Sequence, residues 1–112
     1  MGNMKIVILC ATGASSSIIV KSIKNNARSR NFDVEVSCCP YTLYRELDFK
    51  GVDAILLAPQ VKRERAEIEK YVESYKIAVC EIGMREYGLA LGGEILDQVA
   101  ELLQYKKSDQ GT

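Results

Sequence analysis

Cys10 ends the apolar run Ile6-Val7-Ile8-Leu9 and is followed by seven small uncharged residues, Ala11, Thr12, Gly13, Ala14, Ser15, Ser16 and Ser17. The apolar residues Ile18, Ile19 and Val20 come next. A thiol, an uncharged Gly/Ser loop and a helix start form a pattern suited to nucleophilic chemistry on an anion. Successive backbone N–H groups in such a loop can wrap an anion, and the start of a helix adds partial positive charge. Gly13 permits the backbone angles that such a nest needs. Ser15, Ser16 and Ser17 add hydroxyl donors. The same field favours a thiolate over a thiol at Cys10, which makes it a nucleophile. A cysteine in an anion-binding loop is the arrangement that a phosphocysteine intermediate requires. A cysteine at a strand end is more often a small buried hydrophobe. We assign that role to Cys80 and to one of Cys38 and Cys39, whereas the Gly/Ser loop sets Cys10 apart.

Composition narrows the chemistry further. Lys plus Arg and Asp plus Glu both number 15, so the formal net charge is zero and there is no basic excess for nucleic acid. The four cysteines form no C-x-x-C pair and the chain has no histidine, which argues against a zinc site and removes every His-based dyad or triad. Any proton transfer must use another side chain or a partner's. No apolar run approaches the roughly 18 residues of a membrane span. The N-terminal apolar stretch is too short for a signal-peptide core. The expectation is a cytoplasmic chain with reduced thiols.

Three kinds of function can use such a loop. One is a phosphoryl relay. A second is a phosphatase-like or arsenate-reductase-like enzyme. Small tyrosine phosphatases carry C-x5-R-S, with the arginine clamping the phosphoryl group. Here Ser16 stands in the arginine position, no Arg or Lys lies between Cys10 and Lys21, and no Asp-Pro pair supplies a leaving-group acid. The third is a noncatalytic module that senses an anion. Neither G-x-x-x-x-G-K-[ST] nor G-x-G-x-x-G is present to hold a nucleotide cofactor.

The elements that must position this loop follow from periodicity. Residues 4–9 are apolar without alternation, as in a strand buried on both faces of a parallel sheet. Residues 16–29 read as a helix, with Ile19, Ile23 and Ala27 four apart and Ser15 or Ser16 as N-cap. Residues 33–37 alternate like a half-exposed edge strand. Pro40 opens a short helical segment with Leu43 and Leu47 four apart, ending near Gly51. Residues 53–58 are a second buried strand. Residues 61–74 form a charged helix with Val61, Ile68 and Val72 on one side, and 76–80 form a last strand. Gly92 and Gly93 precede a helix striped by Ile95, Leu96, Val99, Leu102 and Leu103. This gives one domain over 1–105 and a flexible polar tail over 106–112. The alternation predicts a four-stranded parallel α/β sheet in the order 2-1-3-4, flavodoxin-like, with helices on both faces. Ligands of such sheets sit outside the carboxyl ends of the strands, where Cys10 lies. Pro59, Gln60 and Val61 after the third strand, and Tyr87 and Gly88 after the fourth, fall at the same edge, either as ordinary turns or as a docking rim.

"KIVILCATGASSS", "DAILLAPQV" at 53–61, "MREYG" at 84–88 and "GEILDQVAELL" at 93–103, in this order and spacing, resemble the enzyme IIB component of the lactose/cellobiose (chitobiose-type) branch of the sugar phosphotransferase system. The resemblance covers about residues 4–105 and reads "MREYG" as the loop after the fourth strand. Ala14, Ser16 and Ala58 stand where the family often has Met, Thr and Gly, changes that preserve the loop backbone and the hydroxyl. The resemblance implies a relay without a cofactor. A phosphohistidine on enzyme IIA is attacked by the Cys10 thiolate while the amides of residues 11–17 hold the phosphoryl group. Phosphocysteine then donates to a sugar of the cellobiose, chitobiose or lactose type bound by the membrane enzyme IIC. The component is accordingly cytoplasmic and meets the membrane through IIC.

Overall fold

The four strand segments become four parallel strands: β1 (Met4–Cys10), β2 (Val34–Pro40), β3 (Ala54–Leu57) and β4 (Ala78–Glu81). They are seen in a computed structural model that describes residues 4–11, 16–31 and 33–111. The sheet order is β2-β1-β3-β4, as the alternation of elements predicts. Strand side chains point alternately to the two faces. Val7, Leu9, Ile55, Leu57 and Val79 enter one apolar cluster, and Ile6, Ile8, Ala54, Leu56 and Cys80 enter the other.

The second of these faces is covered by α1 (Ser16–Ser29) and α4 (Gly92–Gly111). Ile19, Ile23 and Ala27 of α1 and Ile95, Leu96 and Val99 of α4 are buried there, and Leu102 and Leu103 pack against them. Each fully buried aliphatic side chain contributes about 1.5–3 kcal/mol. The turns of α4 from Lys106 carry the polar stretch that the sequence assigns to a tail, and Thr112 lies outside the described residues.

The opposite face differs in detail from the sequence expectation. The helix expected after Pro40 is a 3-10 helix, Tyr41–Glu46. With three residues per turn, its inward side is Tyr41, Tyr44 and Leu47, while Leu43 is exposed. The single helix expected over 61–74 is three pieces: a 3-10 helix Pro59–Glu64, then α2 (Arg65–Tyr71), then a 3-10 turn Glu73–Tyr75. Pro59 sits in the first turn, where its missing N–H costs nothing, and left-handed Lys76 ends the segment. Val61, Ile68 and Val72 are buried as expected. Phe49 stacks edge-on to Tyr71, which is also T-shaped to Tyr44, tying this segment to α2.

α1 and α4 meet more closely than side chains normally allow. Ser22 Oγ donates to the Ala90 carbonyl at 2.8 Å and accepts the Gly92 N–H at 3.0 Å. Arg30 adds an ion pair to Asp97. Gly92 lies against the α1 backbone: a Cβ there would meet Ser22 C and Oγ and come within 2.6 Å of Ile23 N.

Candidate active site

Backbone pairing fixes Cys10 at the carboxyl edge of the sheet. The Leu9 carbonyl accepts the Ala58 N–H at 2.9 Å, and the Leu57 carbonyl accepts the Ile82 N–H at 2.8 Å. β1 therefore ends level with the segments that follow β3 and β4. On its other side Leu9 registers with Cys39 and Cys10 with Pro40. Cys10 has no exposed surface, and its Sγ donates to the Cys39 carbonyl at 3.8 Å.

Ala11 is exposed beyond Cys10, and α1 starts at Ser16 with Ser17 exposed in its first turn. Thr12, Gly13, Ala14 and Ser15, named as phosphate-binding residues, lie outside the described residues. Of the residues expected at a rim after β3, Pro59 is half-buried, Gln60 is exposed and Val61 is fully buried in the same apolar cluster as Cys10. Val61 is thus a core residue while Gln60 is open to solvent.

Residues 84–88 form a short helix, α3 (Met84–Gly88), in place of the loop expected from the sequence. Its Tyr87 is half-buried and packs against the clusters on both faces of the sheet. Touching both faces places Tyr87 across the sheet edge. Gly88 is exposed. Ile18 in the first turn of α1 and Met84 after β4 are two large apolar side chains at this edge, 67% and 79% exposed.

Sequence reasoning missed the approach of β2. The alternating pattern ends at Ser37, but the strand runs to Pro40 and carries Cys38 and Cys39 to the level of Cys10. Proline is tolerated as the last residue of an edge strand because no ladder donor is needed there. Cys38 and Cys39 are both half-buried, so neither is the fully buried hydrophobe expected of one of them. Burial pushes both thiols up, and a negative charge on Cys10 would push them further. Cys80 is buried in the core as expected, and desolvation pushes its thiol up to about 11 against the opposing pull of Arg65. Among the described residues there is no cluster of groups that could hold a metal ion, and no helix is long and apolar enough to cross a membrane.

Residues 5–98 match the family model described as "PTS system, Lactose/Cellobiose specific IIB subunit". The oligo-beta-mannoside-specific EIIB component of Bacillus subtilis (strain 168) is 31% identical over 99 residues, covering 88% of this chain and 95% of the relative. The solution structure of the cellobiose-specific IIB component from Borrelia burgdorferi superposes with a TM-score of 0.75 at 27% identity, covering 94% of this chain and 95% of that one. The lactose-specific IIB domain from Streptococcus pneumoniae shares the fold, with a TM-score of 0.73 at 21% identity over 96% of this chain and 97% of that one.

Proposed function

The chain belongs to the lactose/cellobiose-specific IIB family of the sugar phosphotransferase system, whose members are phosphotransfer subunits, and from that premise we propose that it relays a phosphoryl group through Cys10. The donor is a phosphohistidine of enzyme IIA. The acceptor is a sugar of the cellobiose, chitobiose or lactose type bound to membrane enzyme IIC. The observation that carries this reading is a cysteine at the carboxyl end of the central strand, six residues ahead of a helix start, in a chain of this family.

In the first step the Cys10 thiolate attacks phosphorus in line with the P–N bond. The S–P bond forms as the P–N bond breaks, and the partner's imidazole leaves. The amides of Ala11, Thr12, Gly13, Ala14, Ser15, Ser16 and Ser17 hold the phosphoryl oxygens, with the N-terminus of α1 supplying partial positive charge. In the second step a sugar hydroxyl attacks phosphorus. The O–P bond forms, the S–P bond breaks and the thiolate returns. We assign the base that takes the hydroxyl proton to the partner, because the partner binds the sugar. The exposed Gln60, Gly88, Ile18 and Met84, with Pro59 and Tyr87, form the rim against which a protein partner docks, and Val61 supports it from inside. The protein acts in the cytoplasm and reaches the inner membrane face through IIC. A hydrolytic role is disfavoured, because Ser16 occupies the position of the phosphatase arginine.

The test is to mix wild-type and Cys10→Ser proteins with phosphorylated IIA and map the modified residue by mass spectrometry. We expect label on Cys10 alone in the wild type and none in the variant. Full labelling of Cys10→Ser, or label on Cys38 or Cys39, overturns the assignment.

A further inference from the structure

Resting on the reading of Cys10 as the phosphoryl acceptor, we propose that Cys39 is its redox partner: a hydroperoxide closes a Cys10–Cys39 disulfide that switches phosphoryl acceptance off, and a thiol reductant reopens it.

The geometry singles out this pair. Leu9 registers with Cys39 and Cys10 with Pro40, so Cys10 and Cys39 are one residue out of register on hydrogen-bonded neighbouring strands. Strands about 4.8 Å apart with a rise of about 3.3 Å per residue put their Cα atoms about 5.8 Å apart. That separation lies within the range of roughly 4.4–6.8 Å that a disulfide spans. Strict alternation would send Cys10 to the face of Ile8, away from Cys39, but at the end of β1 the Cys10 side chain enters the Leu9 cluster, against which Cys39 packs, and Cys10 Sγ lies 3.8 Å from the Cys39 carbonyl.

The other pairings are poorer. Cys38 is two residues out of register with Cys10, which separates the Cα atoms by about 8 Å, beyond disulfide reach. Cys38 and Cys39 are neighbours on a strand and send their side chains to opposite faces, in agreement with their packing in different clusters. Cys80 lies on β4, at the far side of the sheet from β2. None of the four cysteines forms a disulfide in this structure.

The chemistry balances with a hydroperoxide as oxidant. The Cys10 thiolate attacks the outer peroxide oxygen. The S–O bond forms, the O–O bond breaks, and the hydroxide released from hydrogen peroxide takes up a proton to leave as water. Cys39 then attacks the sulfenic sulfur. The S–S bond forms, the S–O bond breaks, and the departing hydroxide takes the Cys39 thiol proton and leaves as a second water. Two sulfurs are oxidised by one electron each and two peroxide oxygens are reduced by one electron each. Burial and the charges of Cys10, Cys38 and Glu46 keep Cys39 protonated at neutral pH, which suits it to the resolving role. Cys10 has no exposed surface, but the relay requires it to meet a phosphohistidine on another protein, and a peroxide is far smaller than that donor.

The experiment treats the full chain with hydrogen peroxide, alkylates the remaining thiols, maps bridges by mass spectrometry and offers the protein to phosphorylated IIA. We expect a Cys10–Cys39 bridge with loss of the mass of two hydrogens. Phosphoryl acceptance should fall to the Cys10→Ser level and return with dithiothreitol. Cys38→Ser should behave as wild type. Cys39→Ser should accept the phosphoryl group normally before treatment and form no Cys10 bridge after it; its unresolved Cys10 sulfenic acid should be trapped by dimedone and, under excess peroxide, go on to the sulfinic acid, so that acceptance no longer returns with dithiothreitol. A bridge to Cys38, a bridge only between two molecules, or no bridge each overturns the inference while leaving the relay intact. A Cys10–Cys39 bridge in a protein whose untreated form accepts nothing from IIA sinks the relay, and the switch with it.

Discussion

Replacing Gly92 by alanine should unfold the contact that holds α1 in place. The added Cβ would press on Ser22 C and Oγ and lie 2.6 Å from Ile23 N, whereas real Cβ atoms essentially never come within 3.0 Å of such neighbours. Two of the three obstacles are backbone atoms, which cannot rotate away. Relief requires α4 to retreat from α1 by about 1 Å, to ordinary van der Waals distance. Overpacking of this kind costs about 1–3 kcal/mol. The retreat also stretches the Ser22 bonds to Ala90 and Gly92, now 2.8 and 3.0 Å, at about 1 kcal/mol each. Alanine's better helix propensity returns at most about 1 kcal/mol, and less at the first helical residue. The net loss is about 2–5 kcal/mol, which lowers Tm by about 8 °C or more in a chain of this size. Thermal and urea unfolding followed by circular dichroism measure it. The double variant Ser22→Ala/Gly92→Ala separates the causes. Removing the hydroxyl leaves both backbone obstacles, so the double variant should be no more stable than Gly92→Ala. A Tm of Gly92→Ala within about 2 °C of wild type, or recovery of stability in the double variant, refutes the close-approach argument.

Two further predictions follow from other parts of the sheet. Cys80 is pushed up to about 11 from an ordinary value of 9.0. Below pH 9 both folded and unfolded chains keep this proton and its contribution is complete; between about 9 and about 11 only the unfolded chain ionises, so stability falls as pH rises. At about 1.4 kcal/mol per pH unit the loss is about 3 kcal/mol, and Cys80→Ala should flatten the alkaline limb of a stability–pH curve without abolishing it, because Cys38 and Cys39 are raised as well; an unchanged slope counts against the buried thiol. At the β4 edge, the N–H groups of Ala78 and Ile82 point to β3, so Val79 and Glu81 turn their backbone groups outward. Arg65 Nη2 donates to the Val79 carbonyl at 3.1 Å and Gln98 Nε2 to the Glu81 carbonyl at 3.1 Å. Arg65→Ala/Gln98→Ala strips both caps and should promote self-association through the open edge, read by sedimentation velocity; a strictly monomeric double variant at high concentration shows that the caps protect nothing.

The sheet was legible because its signals are local. Continuous apolar runs mark β1 and β3, alternation marks the start of β2, and the four-residue spacing of Ile19, Ile23 and Ala27 marks α1, all of which are buried as that spacing requires. The reach of β2 was not legible. Cys38, Cys39 and Pro40 have no alternation, and what extends the strand is pairing with β1, a contact between residues far apart in sequence. The 3-10 segments failed for a different reason. A four-residue spacing predicts the pair Leu43 and Leu47, whereas a tighter helix selects Tyr41, Tyr44 and Leu47. The short helix over Met84–Gly88 spans little more than one turn, too little for a period to be read. The proximity of Cys39 to Cys10 depends on register alone, so it entered only with the structure.

The proposed phosphate cradle divides the work between backbone and scaffold, and this decides which substitutions it can bear. Residues 11–17 contain no charged side chain, so attraction for a phosphoryl group must come from amide N–H groups and the end of α1. Side chains in such a loop are free to vary in size. The direction of α1 is not free in the same way. The partial charge at a helix end falls off within about one turn, so a small tilt of α1 weakens the cradle even when every loop residue is kept. The direction of α1 is held outside the loop, by Gly92 against the Ser22–Ile23 backbone, the Ser22 bonds and the Arg30–Asp97 pair. A change at Gly92, outside the loop, should therefore impair phosphoryl acceptance more than a change of side chain at position 14 within it.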